Sequence, residues 1–307
     1  MADAHAVPVL LVSGSLGAGK TSLINLLLGA DHGLALAVIV NDFGAINIDE
    51  AILAATGQPI YGLKNGCICC SLQGDLLRTL ASLLSLGRPL DAIVIEASGV
   101  SDPRGIMEAL FDPVLRAAVR LDAVVTVVDA QEHDPADDLW CAQVRAADLV
   151  VLSKTGQTAP ASVAALRARL GEMGKTLVFS ADEAGGIPLD LLFARTFDHA
   201  RPSGADPHPL ITDARFTWLE WTASGPVSLP RFQAAIGSLA PHLARAKGFL
   251  AFRERPGQGF LFQLVGRRAS LTPSDGPDQG TRLVLIGPTG RFDPRRAEAA
   301  LDTTTRE

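Results

Sequence analysis

Near the amino end, the stretch Val9-Leu10-Leu11-Val12-Ser13-Gly14-Ser15-Leu16-Gly17-Ala18-Gly19-Lys20-Thr21-Ser22 decides the fold. An apolar strand pattern runs into the spacing G-x-x-x-x-G-K-[ST], and an apolar helical pattern over Thr21–Leu28 follows. Glycines let backbone amides surround phosphate oxygens, and the amino end of the helix adds a favourable dipole. We therefore predict that Gly14 to Ser22 bind nucleotide phosphates, with Lys20 reaching the terminal phosphates and Thr21 ligating Mg²⁺. A glycine-rich turn without function is the alternative.

Outward from this loop, residues 7 to about 195 alternate between short apolar runs and helical stretches. The runs contain almost no polar residues, which is typical of strands buried on both faces of a parallel sheet. The pattern predicts an α/β fold with a three-layer, mostly parallel sheet, whose ligands bind beyond the carboxyl ends of the strands. The predicted strands are Pro8–Val12, Leu34–Val40, Ala92–Ile95, Ala123–Val128, Leu149–Leu152 and Thr176–Phe179, and the predicted helices are Thr21–Leu28, Asp75–Leu86 and Ala161–Leu170.

The composition changes at His199–Pro209, which holds three prolines and no apolar residue larger than alanine. This segment is a candidate linker, so we predict domains at 1–198 and 210–307. The second domain has the pattern of a small α+β fold with an antiparallel sheet. Its predicted strands are Phe216–Trp221, Gly248–Phe252, Gly259–Val265 and Arg282–Ile286, and its predicted helices are Leu229–Leu239 and Pro294–Leu301.

The composition excludes several classes of protein. The 307 residues are 48% apolar, enough for a substantial core, and their net charge of −6 argues against broad charge-driven binding to nucleic acid or anionic membranes. Apolar runs stay shorter than the roughly 18 residues that a membrane span requires, and the amino end lacks the pattern of a secretory signal. Three of the four cysteines cluster at 67–70, which favours a reduced compartment. We expect a cytoplasmic protein that binds neither nucleic acid nor membrane.

Three acidic residues close predicted strands on the ligand side of the sheet: Asp42, Glu96 and Asp129. Asp42, in Asn41-Asp42-Phe43-Gly44, is placed to hold Mg²⁺, orient water or pass on a metal ion, although such residues also favour ordinary turns. Glu96 ends a wholly apolar strand, where a carboxylate is costly to bury without a partner. We prefer Glu96 over Asp129 as the carboxylate that holds Mg²⁺, with Gly99 beyond it as a sensor of the terminal phosphate. A solvated acid at the end of a strand is the alternative.

The segment Ser153-Lys154-Thr155-Gly156 follows another predicted strand. Guanine-binding proteins typically have Asn-Lys-x-Asp here, where the lysine stem packs along the base and the aspartate pairs with the guanine edge. Ser153 and Lys154 are therefore candidate nucleotide-binding residues. Gly156 lacks the carboxylate, so the choice between GTP and ATP stays open.

Gly66-Cys67-Ile68-Cys69-Cys70 is the candidate transition-metal site. Thiolates select soft ions such as Zn²⁺ over Mg²⁺. In an extended chain Cys67 and Cys69 point to the same side, and a turn would bring Cys70 toward Cys67, so two or three thiolates can face one ion. A metal site with an incomplete set of sulfur ligands, completed by Asp42, water or a partner protein, suits delivery of the ion better than a closed structural site. Buried hydrophobic cysteines and a redox pair are the alternatives, and we expect Cys141 to lie in the core.

Together these residues resemble the CobW-type family of P-loop GTPases, relatives of the urease and hydrogenase nickel-insertion GTPases. The likeness spans nearly the whole chain. It rests on the phosphate loop, Asn41–Gly44 with Ile48-Asp49, Gly66–Cys70, Glu96-Ala-Ser98-Gly99 with Asp102-Pro103, Lys247-Gly248-Phe249 and Arg282-Leu283-Val284.

The resemblance implies GTP-dependent metal handling, in which thiolates near the switch segments bind Zn²⁺ or Co²⁺ and hydrolysis releases the ion to a client metalloprotein. Two departures matter: Asp42 stands where the family more often has glutamate, and Gly156 lacks the guanine-reading aspartate. The histidine-rich tract of some relatives is absent from the sequence, so metal storage is not indicated.

The leading hypothesis is a nucleoside triphosphatase, a GTPase by resemblance, that acts as a metallochaperone with Lys20, Asp42 and Glu96 as catalytic residues. A P-loop phosphotransferase acting on a small molecule and a non-hydrolysing, nucleotide-dependent metal sensor are the alternatives. The sequence does not decide the metal, the client or the oligomeric state, including whether the chain forms a nucleotide-dependent homodimer.

Overall fold

The computed structural model describes residues 6–30, 33–40, 60–62, 72–85, 89–116, 118–182, 186–192, 214–274 and 280–306. The chain divides into two compact units, Met1–Ile187 and Pro188–Glu307. The predicted linker, Asp42 and the three clustered cysteines lie outside the described residues. Within the described part of the chain, no helix has both the length and the apolar character needed to cross a membrane.

The first unit contains a parallel sheet of seven strands among the described residues, in the order β3-β2-β4-β1-β5-β6-β7. β1 lies in the middle, and both of its neighbours are reached by crossover connections, as expected for alternating strands and helices. The predicted α/β class with a parallel sheet is confirmed. The strands are β1 Val7–Ser13, β2 Leu36–Val40, β3 Ile60–Gly62, β4 Ala92–Glu96, β5 Val119–Asp129, β6 Leu149–Ser153 and β7 Val178–Ser180.

Helices cover this sheet on both faces. Val9 and Leu11 of β1 pack against α2 and α3, while Leu10 and Val12, which point to the opposite face, are equally buried. Helix α4, which was not predicted, begins where the Asp137 carboxylate accepts hydrogen bonds from two backbone N–H groups. The helices are α1 Lys20–Gly29, α2 Leu72–Ser85, α3 Arg104–Leu110, α4 Asp138–Ala146 and α5 Pro160–Glu172.

The second unit is the predicted small α+β fold. Its antiparallel five-stranded sheet, in the order β11-β10-β9-β12-β8, packs one face against two helices. Strand β11 was not predicted, because it is an exposed edge strand in which polar residues and Pro273 hide the strand pattern. The elements are α6 Leu189–Leu192, β8 Phe216–Ala223, α7 Leu229–Leu239, β9 Arg245–Ala251, β10 Gly259–Val265, β11 Arg268–Ser274, β12 Thr281–Pro288 and α8 Pro294–Asp302.

Candidate functional site

The phosphate loop connects β1 to α1 at the carboxyl edge of the parallel sheet. Gly14 has a φ of +137°, and a Cβ added there would lie 2.2 Å from Val127 O, so only glycine fits. Lys20 begins α1 and is buried, with its Nζ donating to Ser15 O at 3.1 Å. The loop therefore brings a helix amino end and an ammonium group to one small space, as phosphate binding requires.

Thr21 and Glu96 lie beside this space. Thr21 Oγ1 donates to the Glu96 carboxylate, at 3.2 Å from Oε1 and 3.4 Å from Oε2. Glu96 ends β4 in register with Val12 of β1, which carries its side chain to the phosphate loop, and only 4% of the residue is exposed. A hydroxyl and a buried carboxylate form an all-oxygen donor pair of the kind that Mg²⁺ prefers.

Asp129, the other candidate acid, lies against a different group. It forms an ion pair with Lys154, and its Oδ1 accepts from the backbone N–H groups of Gln131 and Glu132, at 2.8 and 3.2 Å. Burial raises the pKa of Asp129, but the Lys154 ammonium and the two backbone donors outweigh it and hold that pKa below its ordinary value. Asp129 thus anchors the lysine loop, whereas Glu96 is the acid beside Thr21.

Gly99 packs directly on the phosphate loop. A Cβ added to Gly99 would lie 2.6 Å from Leu16 N and 3.0 Å from Lys20 Nζ. Because the Gly99 backbone is in direct contact with the loop, a displacement of the loop would also displace Gly99. A phosphate-dependent shift requires such a contact.

Gln143, which was not predicted as a site residue, joins the same two segments. This residue of α4 is 1% exposed; its Oε1 accepts from Ser15 Oγ at 3.3 Å, and its Nε2 lies 3.3 Å from Gly99 O and 3.2 Å from Ser101 O. A single glutamine on a helix carries no sequence signal for such a role, because most glutamines on helices face solvent.

The loop after β6 is tied to the phosphate loop. Ser153 Oγ donates to Ala18 O at 2.6 Å, and Lys154 adopts a left-handed φ of +56°. Two groups that follow, Thr155 Oγ1 and Gly156 N, lie 3.3 and 3.4 Å from Oδ2 of Asp182, which follows β7. Asp182 was not predicted as a site residue, although an acid just past a neighbouring strand is a signal that could have identified it.

The thiol site predicted at Cys67, Cys69 and Cys70, with Asp42, lies outside the described residues. Within the described ranges, no cluster of three or more His, Cys, Asp or Glu side chains is arranged to hold a metal ion. Cys141 is a free, half-buried thiol in α4 whose Sγ lies 3.3 Å from Pro135 O.

Two family models match the chain. The model described as CobW/HypB/UreG, nucleotide-binding domain, matches residues 8–179, and the model of the cobalamin synthesis protein cobW C-terminal domain matches residues 216–305. The chain belongs to the CobW/HypB/UreG family. The resemblance seen in the sequence is therefore confirmed, and the phosphate loop, Glu96 and Lys154 all fall within the matched nucleotide-binding domain of this CobW/HypB/UreG protein.

Relatives of this CobW/HypB/UreG chain match it over most of its length. The zinc chaperone CobW of Pseudomonas aeruginosa is 31% identical over 92% of this chain and 87% of its own, and that of Sinorhizobium is 29% identical over 92% of each. The solved structure of Zn(II)-bound YjiA GTPase from E. coli is 26% identical, covering 98% of this chain and 100% of its own, with a TM-score of 0.47.

Proposed function

We propose that this chain is a GTP-dependent metallochaperone. It hydrolyses the nucleotide at the phosphate loop, binds Zn²⁺ or Co²⁺ as cargo at Cys67, Cys69 and Cys70, and delivers the ion to a client metalloprotein. The observation that carries the proposal is the grouping of Lys20, Thr21 and Glu96 at one phosphate loop, in a chain whose relatives over nine-tenths of its length are named zinc chaperones.

The described residues support the nucleotide part of the proposal. Lys20 and the loop amides would bind and orient the phosphates, and Thr21 and Glu96 would hold Mg²⁺ through oxygen atoms. Mg²⁺, when bound, neutralises charge on the phosphates. Gly99 would respond to the presence of the terminal phosphate because it lies against the loop that binds it, and Gln143 holds both Gly99 and Ser101.

Chain connectivity supports the coupling of the two sites. β2 ends at Val40, which is in register with Glu96, so Asp42 follows two residues past the strand that borders the phosphate site. α2 begins at Leu72, two residues after Cys70. β3, which precedes the thiols in the chain, ends at Gly62 in register with Val40, so the chain leaves both strands at the nucleotide end of the sheet. We propose that Asp42 orients water or assists metal transfer.

The test is a metal-binding titration in defined nucleotide states. Zn²⁺ and Co²⁺ affinities of the full chain are measured without nucleotide, with Mg²⁺–GDP and with Mg²⁺ and a non-hydrolysable GTP analogue. We expect one ion per chain and an affinity about 10-fold higher in the triphosphate state, within the usual range of coupling between sites. The molecular mass in each state shows whether a homodimer forms with nucleotide.

Matched cysteine variants identify the ligands. Cys69→Ser should lose the tight ion, whereas Cys141→Ser should keep it. A metal affinity that is the same in all three nucleotide states would disprove the coupling. Transfer of phosphate to a small molecule, rather than release of free phosphate, would favour the phosphotransferase alternative.

A further inference from the structure

Asp182 brings a carboxylate to the loop from which the guanine-reading aspartate is missing. Position 156 is glycine, yet Oδ2 of Asp182 lies 3.4 Å from Gly156 N and 3.3 Å from Thr155 Oγ1. Ala181 continues the sheet, since its N–H donates to Leu152 O at 2.9 Å, and Asp182 is the first residue beyond it. A carboxylate therefore stands beside residue 156 although it comes from another loop.

This corner of the molecule is where the base of a bound nucleotide would lie. Ser153 Oγ ties the loop to Ala18 of the phosphate loop at 2.6 Å, so phosphates held there place the base close to Lys154. The Lys154 ammonium is held by Asp129, and 35% of the lysine side chain is exposed. Its stem thus offers a fixed apolar strip against which a flat base can pack.

Space and hydrogen-bonding capacity remain at this corner. In the part of the chain that the structure describes, a Cβ added to Gly156 would meet no other atom within 4 Å, and Asp182 is exposed. Among the described residues, both contacts of the carboxylate use Oδ2, whereas a carboxylate has about four acceptor positions. Acceptor positions therefore remain for a ligand.

Guanine and adenine present opposite patterns to such an acceptor. The guanine edge offers two neighbouring donors, the ring N1–H and the amino group at position 2, which a carboxylate can accept together. Adenine presents an unprotonated N1, whose lone pair repels a carboxylate. A carboxylate here therefore distinguishes the two bases.

We propose that Asp182 is the specificity-determining residue for guanine, supplying from the loop after β7 the carboxylate that position 156 lacks. This inference rests on the nucleotide site of the proposed function but not on its metal site. Aspartate at 156 is unnecessary in this chain because the acceptor arrives from a different strand end.

The test compares GTP, ATP and xanthosine triphosphate binding to the full chain with Mg²⁺ present, for wild type, Asp182→Asn and Asp182→Ala. Xanthine has a carbonyl oxygen in place of the guanine amino group, so an asparagine amide at 182 should favour it. We expect both variants to bind GTP roughly 10- to 100-fold more weakly, with ATP bound at least as tightly as by wild type and with Asp182→Asn preferring xanthosine triphosphate.

A rescue variant separates base reading from a merely structural role. Asp182→Ala combined with Gly156→Asp should regain the preference for GTP, because the open space at 156 accepts the new side chain. Asp112→Asn, which alters another loop carboxylate bonded to a backbone N–H, is the control and should bind as wild type does.

The other outcomes overturn the inference in distinguishable ways. An equal loss of affinity for all three nucleotides would assign Asp182 a structural role, and unchanged affinity ratios would assign it none. A wild type that binds GTP no better than ATP would refute base selection while leaving nucleotide-coupled metal release intact. A wild type that binds no nucleotide would refute the proposed function as well.

Discussion

Gln143 Nε2 lies 3.3 Å from Gly99 O, a contact that joins helix α4 to the segment after β4. The same side chain accepts a hydrogen bond from Ser15 in the phosphate loop, so one buried amide connects the loop to the segment that would respond to the terminal phosphate. Both ends of the amide are used, which fixes its orientation.

We expect Gln143→Leu to separate these segments. The substitution leaves buried carbonyl groups without their donor, so the free energy of unfolding should fall by about 1–3 kcal/mol in urea denaturation. The rate of nucleotide hydrolysis should fall more than nucleotide affinity, because Gln143 contacts protein groups rather than phosphate. Gln131→Leu, which removes an exposed bond to Gln157 O, is the control and should change stability by less than about 0.5 kcal/mol. Wild-type stability in Gln143→Leu would contradict this prediction.

Gly99→Ala should displace the phosphate loop. The added methyl group would lie 2.6 Å from Leu16 N, closer than real contacts allow, so the loop or the segment must move. We expect nucleotide affinity to fall by about 10-fold or more, since a shift of this kind removes amide contacts to phosphate. Isothermal titration with Mg²⁺–GTP measures the change. Gly171→Ala, in an open position of α5, should bind the nucleotide normally; equal behaviour of the two variants would refute the steric argument.

Substitutions at Thr21 test the proposed magnesium site. Thr21→Ser keeps a hydroxyl group beside Glu96, whereas Thr21→Ala removes it. We expect the serine variant to retain the dependence of nucleotide binding on Mg²⁺ and the alanine variant to require at least about 10-fold more Mg²⁺, as Glu96→Gln should. A Mg²⁺ titration of nucleotide affinity measures this, and an unchanged Mg²⁺ requirement in Thr21→Ala would place the ion elsewhere.

The pair of Asp129 and Lys154 should make stability depend on pH. The pKa of Asp129 is lowered in the folded chain, so the pair stabilises the fold above the unfolded-state pKa of about 3.9, and this contribution is lost as the pH falls through the folded-state pKa. We therefore expect Asp129→Asn to be clearly less stable than wild type at pH 7, with the difference narrowing below about pH 4.

Urea denaturation at several pH values measures this difference. Lys154→Met should lose stability over the same range, and the double variant should lose less than the two single variants added together, because the residues act as one pair. A difference between wild type and Asp129→Asn that does not vary between pH 3 and pH 7 would contradict the assignment.

Local sequence patterns were sufficient for the features that depend on neighbouring residues. The glycine spacing of 14–21 predicted the loop between β1 and α1, and unbroken apolar runs identified most of the buried strands, because burial on both faces admits few polar residues. Strand β11 was missed for the converse reason, since an exposed edge strand needs no apolar pattern. Helix α3 has only seven residues, too few to show a clear periodicity.

By itself, the sequence determined the parallel fold and the combination of a nucleotide-binding domain with a small domain that contains an antiparallel sheet. The tertiary structure alone decided that Glu96 lies against Thr21 while Asp129 lies against Lys154, although both acids end apolar strands. It also brought Gln143 and Asp182 to loops that are distant in the chain. The physical reason is that the order of strands in a sheet sets which strand ends are neighbours, and local sequence patterns do not specify that order.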